Sequence, residues 1–147
     1  MAPTMPIEHR IEHRIDIAAD RQKVWRAITK PEHFSNWFGD TIHFSHLAAG
    51  EPIAFEVGSL KKSGTIERVE VPDLYAFHWT PEPGEPARTL VTFRLEAVGS
   101  GTRVTVTEEG FEALPDKVRA KRYDLHKRGW PYQMGQLEAY VQSEPDV

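Results

Sequence analysis

The feature that most constrains this chain is the fixed order of its aromatic marks. Val24-Trp25-Arg26-Ala27-Ile28-Thr29 leads to Trp37-Phe38, Gly64-Thr65-Ile66 leads to Phe77-His78-Trp79, and Glu109-Gly110-Phe111 leads to Gly129-Trp130. All four tryptophans stand at these marks, each near the end of an element that residue periodicity predicts. Apolar side chains at element ends must be covered by a second layer. The order therefore points to one curved sheet wrapped on a long helix, a shape able to enclose a cavity.

At 147 residues the chain is expected to form one domain, 1–147, with an ordered core of about 7–142. A chain of this size buries about 68–70% of its unfolded surface, enough for a core and a pocket. It has no cysteine, which excludes disulfides and thiolate zinc sites and fits a reducing, cytoplasmic setting. No apolar run approaches the ~20 residues of a membrane span. Met1-Ala2-Pro3-Thr4-Met5-Pro6 has neither the basic region nor the apolar core of a signal peptide. The net charge of -4 argues against bulk nucleic-acid binding, which needs basic surface to displace counterions.

Residues 7–17 alternate strictly. Ile7, His9, Ile11, His13, Ile15 and Ile17 fall on one face, and Glu8, Arg10, Glu12, Arg14 and Asp16 on the other. Period two predicts a strand with one buried face. The tetrapeptide Ile-Glu-His-Arg occurs twice here, and its even shift preserves the faces, so register slippage is conceivable at the strand start. Asp20 reads as the N-cap of a helix over 21–29, which Pro31 ends. A short helix over about 32–36 leads into Trp37-Phe38-Gly39. Strands are then expected near 41–45, 51–57, 60–71, 73–79, 87–98 and 102–109. Gly58-Ser59 and Gly99-Ser100-Gly101 read as hairpin turns, and Pro72-Asp73 and Pro81-Glu82-Pro83-Gly84 as turn chemistry. Residues 116–142 have helical periodicity, with Tyr123, Trp130, Met134, Leu137 and Val141 on one face. Pro131 lies inside this stretch, so a kink or break is expected around Gly129-Pro131.

The ordered set resembles the activator-of-heat-shock-ATPase homologue family, single-domain bacterial proteins of the SRPBCC (START-like, helix-grip) superfamily. The matching pieces are Val24-Trp25 with Pro31-Glu32 and Trp37-Phe38, Gly64-x-Ile66 followed by Trp79, and Val91-x-Phe93-x-Leu95. They continue with Gly101-Thr102, Gly110-Phe111, and Gly129-Trp130 with Leu137 and Tyr140, over residues 10 to 142. The resemblance implies an α+β helix-grip fold of the birch-pollen-allergen type. An antiparallel sheet of six to seven strands would wrap a long C-terminal helix, with two short helices after the first strand. It implies binding of lipids, sterols or plant aromatics, and in some members cyclase activity. A chaperone is a further partner it implies. It supplies no catalytic motif, so no catalytic residue is assigned. Pro131 departs from the uninterrupted helix usual after the Gly-Trp pair.

Apolar pockets with a few fixed polar groups are how small ligands are held. The aromatic and thioether set Trp37, Phe55, Trp79, Phe93, Tyr123, Trp130 and Met134 is therefore the candidate lining of a cavity, or else plain core. His9 and His13 share a face with isoleucines, and Glu108 shares one with Val104 and Val106. In a helix-grip sheet the first and last strands are antiparallel neighbours, which brings these histidines toward Glu108. His9, His13 and Glu108 are thus the expected polar anchor at one end of the cavity, or else solvated groups at frayed strand ends; in an enzyme of cyclase or hydratase type His13 and Glu108 are the acid and base. No metal or cofactor is expected. His43 and His46 point to opposite faces of a strand, and His9 and His13 are about 13 Å apart along one. There is no Gly-x-Ser-x-Gly elbow and no phosphate-binding glycine loop. The basic run from Lys117 to Arg128 reads as the solvated face of the last helix. The first expected function is a carrier or sensor of a small apolar or aromatic molecule. The second is a cyclase-type enzyme, and the third a co-chaperone-like interaction module. Self-association through an edge strand is allowed but not specified.

Overall fold

The computed structural model describes residues 10–80 and 87–147. His9, the strand start at Ile7 and the Pro81-Glu82-Pro83-Gly84 turn lie outside the described residues. The elements run β1 (Arg10–Ile17), α1 (Arg21–Thr29), α2 (Pro31–Phe38), β2 (Thr41–His43), β3 (Pro52–Val57), β4 (Leu60–Glu70), β5 (Leu74–Trp79), β6 (Thr89–Val98), β7 (Gly101–Glu109) and α3 (Asp116–Ser143). A 3-10 turn at Phe111–Ala113 joins β7 to α3.

The strands form one antiparallel sheet in the order β1-β7-β6-β5-β4-β3-β2. Strands β2 to β7 are a meander, and β1 closes beside the last of them. Alternation places the inward residues. Along β7, Thr102, Val104, Val106 and Glu108 are buried, and on β1 Ile11 and Ile17 face the same way. The helices cover this face, so the molecule is the α+β, helix-grip arrangement that the motifs imply.

Local chemistry explains the helix ends. The Asp20 carboxylate accepts from the backbone N–H of Gln22 at 3.1 Å, satisfying one free donor of the first turn of α1. Helix α2 continues past its expected end to Phe38 and stops where Gly39 turns left-handed, at φ 96°. That extra turn buries Trp37 and Phe38.

Helix α3 departs from expectation. It runs unbroken from Asp116 to Ser143 with Pro131 inside it. Pro131 and Lys127 are both exposed, so the carbonyl that loses its partner lies on the water side. The opposite face buries Trp130, Met134, Leu137 and Val141, and that packing holds the helix together across the proline.

Gly64 of β4 stands opposite Trp79 of β5. A Cβ on Gly64 would lie 1.9 Å from the carbonyl oxygen of His78. Glycine is needed here because the β5 backbone approaches too closely for any side chain. Phe34 of α2 is the hub of the core, with ring centroids 5.1–6.2 Å from Trp37, Phe38, Phe55, Phe77 and Phe93. The interior beneath the sheet is thus filled by rings.

Candidate functional site

Glu108 is the only charged side chain fully buried among the described residues. Its position follows from β7. Alternation turns it inward at the end of the strand, where α3 crosses. Two layers then meet on one carboxylate. Oε2 accepts from Thr89 Oγ1 at 2.6 Å and from Trp79 Nε1 at 3.0 Å. Thr89 and Trp79 are register partners on β6 and β5, so the sheet presents both donors together. Oε1 accepts from Trp130 Nε1 at 2.9 Å and bonds His126 Nδ1 at 2.6 Å. His126 and Trp130 are four apart on α3 and share a helix face.

An isolated buried carboxylate would be costly and would take up a proton. Burial does push the Glu108 carboxyl upward. The His126 hydrogen bond and charge, with Thr89 and Trp130, more than reverse this and hold it below the usual glutamate range. Glu108 is therefore ionised, and its oxygens are committed to the four donors. It fixes the two indoles in place from beneath.

Above it a cleft of about 150 Å³ opens between α2, α3 and the sheet. Phe38, Trp79 and Trp130 give it apolar walls, and Asp40, Lys62 and His126 give it polar ones. The Lys62 ammonium lies 4.5 Å over the Trp79 ring and 3.9 Å from Asp40 Oδ2. Burial raises the Asp40 carboxyl above the usual aspartate range, and the Lys62 charge opposes the rise. The carboxylate under the cleft, the indoles and the imidazole at its wall can hold a planar ligand and orient a proton.

The expected site residues divide into three groups. Trp79, Trp130 and Glu108 meet at the cleft. Trp37, Phe55, Phe93 and Met134 are buried in the core behind it. The Trp37 indole donates to the Ala27 carbonyl at 2.9 Å, and its ring stacks on Phe34. Tyr123 and His13 lie apart, lining a groove between β1 and α3 with Lys127 and Pro131. The Tyr123 hydroxyl donates to the Arg10 carbonyl at 3.2 Å. His13 stands opposite Val106, while Ile11 stands opposite Glu108. The imidazole that bonds Glu108 is His126, from the helix, in place of the expected His13. Spacing could have found His126, one helical turn before Trp130. Asp40 and Lys62 carry no periodic signal; they meet only where the folded chain brings the turn between α2 and β2 to β4.

Among the described residues no group of three or more His, Asp or Glu side chains is placed to hold a metal ion. No helix among them is long and apolar enough to cross a membrane.

Comparison with known proteins places this geometry. A crystal structure of a protein from Mesorhizobium loti is similar, with a TM-score of 0.79 and 26% identity, over 92% of this chain and 98% of that one. DynU16, a protein of the dynemicin biosynthetic locus, superposes with a TM-score of 0.76 at 21% identity over 92% of this chain. The match spans only about half of DynU16, 48% of its length. The solution structure of the Aha1 dimer from Colwellia psychrerythraea has a TM-score of 0.71 at 19% identity, over 92% of this chain and 98% of that one. No curated protein sequence matches the chain. The family model for Activator of Hsp90 ATPase homolog 1-like proteins matches residues 18–142, from before α1 to near the end of α3, and the chain belongs to that family.

Proposed function

We propose that the cleft binds a small, largely aromatic molecule and that the protein is its carrier or sensor. One observation supports this most: two indoles are anchored by a buried Glu108 at a cleft that also presents Asp40, Lys62 and His126. A polar group buried at this cost fixes geometry, and here the geometry fixed is that of the cleft walls. Size limits the ligand. Pockets that bury drug-sized molecules run to ~300–1,000 Å³, whereas a cavity of ~150 Å³ holds benzene. The cleft, at about 150 Å³, takes one ring, and anything larger extends into solvent.

A catalytic use is the second reading, and the Glu108–His126 pair favours it. A carboxylate bonded to Nδ1 orients an imidazole whose other nitrogen can move a proton. The origin of DynU16 in a biosynthetic locus agrees with this reading. Chaperone binding, which the family description names, would use the outer surface and leave the cleft empty.

Gly129 lines the cleft, and a Cβ added there meets nothing within 4 Å. Gly129→Leu should therefore narrow the cleft, its Cβ meeting no neighbour. Native mass spectra of the protein as purified should show extra mass that denaturation removes and that Gly129→Leu lacks. Extra mass retained in Gly129→Leu would move the ligand elsewhere. A clean apo mass in both proteins would favour the interaction-module reading.

A further inference from the structure

The cleft is incompletely satisfied in one place. Lys62 Nζ lies 3.9 Å from Asp40 Oδ2, close enough to attract but beyond the ~3.2 Å limit of a hydrogen bond. Asp40 Oδ2 has no hydrogen-bond partner, and neither has Gln133 Oε1 on the same cleft. The gap lies beside the Trp79 ring, because the same ammonium sits 4.5 Å over it. Glu108 cannot supply the missing contact, since its oxygens are taken by Thr89, Trp79, Trp130 and His126.

We propose that the cleft selects a single-ring ligand bearing a hydroxyl, its ring on the apolar wall that Phe38, Trp79 and Trp130 share and its oxygen between Lys62 and Asp40. This rests on the small-molecule reading and adds the ligand's chemistry. An oxygen about 2.8 Å from each group closes the gap, provided that it accepts from the ammonium and donates to the carboxylate. A hydroxyl does both. A ligand carboxylate would satisfy Lys62 and meet Asp40 charge to charge. A ligand ammonium would satisfy Asp40 and meet Lys62 in the same way. A methyl group would leave both unsatisfied and displace any water that served them.

Phenol and toluene differ only in this group. Each is titrated into nitrogen-15-labelled protein, read at the indole N–H resonances of the four tryptophans. Phenol should shift Trp79 and Trp130 and saturate at a concentration at least about tenfold below toluene, the ratio expected when a hydrogen bond to a charged group is gained. Lys62→Met and Asp40→Ala should each bring phenol within about threefold of toluene. Their ligand-free spectra should keep four dispersed indole resonances, with Trp79 alone moved where Lys62 is lost from its ring face, which shows that the fold is intact. Equal binding of phenol and toluene by the wild type would overturn hydroxyl selection and leave the small-molecule reading standing. A phenol preference kept in both variants would also overturn it. Failure of both compounds to shift Trp79 and Trp130 would sink the small-molecule reading as well.

Discussion

Glu108 shows how one residue can tie two layers together. The sheet serves one carboxylate oxygen through Thr89 and Trp79, and the helix serves the other through His126 and Trp130. A carboxylate can accept all of these bonds at once, whereas an amide cannot, because its nitrogen donates. Glu108→Gln keeps the shape and turns an NH₂ toward one pair of donors. Breaking a buried charged pair in this way typically costs about 3–5 kcal/mol. Urea unfolding at pH 7 should show a loss of that order, with a red shift of tryptophan emission as Trp79 and Trp130 loosen. A loss below about 1 kcal/mol would mean that the donors find other partners and that the carboxylate is not the fixed point of the cleft. The sequence marked Glu108 because it stood on an apolar face, and that signal was sound. Its partner was misjudged because strand neighbours were weighed and the crossing helix was not. A strand register is readable from alternation alone, but which turn of a helix lies over a strand end is set by tertiary packing.

At the scale of elements, most of the fold was legible because most elements have a period. The alternation of β1, the N-cap Asp20 and the Gly58 hairpin each have a local physical cause and lie where expected, whereas the Gly99 hairpin is one residue shorter, since Gly101 of β7 already pairs with Val98. Gly64 and Trp79 looked like separate marks in the sequence, and the register shows them to be one cross-strand pair. What local chemistry misjudged is α3. Proline opposes an interior helical position, but burial of Trp130, Met134, Leu137 and Val141 on the far face outweighs it. The cost of Pro131 should therefore still be present in the folded protein. Pro131→Ala restores a backbone N–H to the carbonyl of Lys127 at an exposed position. It should stabilise the protein by about 1–3 kcal/mol, the upper end being the full propensity difference between proline and alanine. Part of the gain is offset because proline also restricts the unfolded chain. Denaturant unfolding of the two proteins checks this. An unchanged or lower midpoint would mean that the residue shapes α3 or the groove beside β1 in a way that alanine cannot copy.

At the scale of the whole molecule, the opposed shifts of its buried acids govern how it responds to acid. Glu108 is held below its ordinary value, near 4.5, so its contribution is complete above that pH and is lost as pH falls through the lower, folded value. Asp40 works the other way. Burial raises its carboxyl above the ordinary 3.8, with Lys62 opposing, so its protonation favours the fold as pH falls through the window just above that value. Asp16 is shifted down by its hydrogen bond to Arg103, but it is fully exposed and solvent screens it. Acid also leaves 18 Lys and Arg and 7 His side chains charged without counter-charge, a repulsion that the wild type and a Glu108 variant share. The difference between them therefore isolates Glu108. The wild-type urea midpoint should hold from pH 7 to about 5 and fall steeply below the ordinary glutamate value. Glu108→Gln should start lower and lose less over the same range, so that the gap to the wild type narrows as pH falls below the ordinary glutamate value. Parallel profiles would show that Glu108 carries its proton in the folded state. Converging profiles would show that the charge beneath Trp79 and Trp130 is real. The cleft walls would then depend on that charge, so ligand affinity should fall together with the wild-type midpoint as Glu108 takes up its proton.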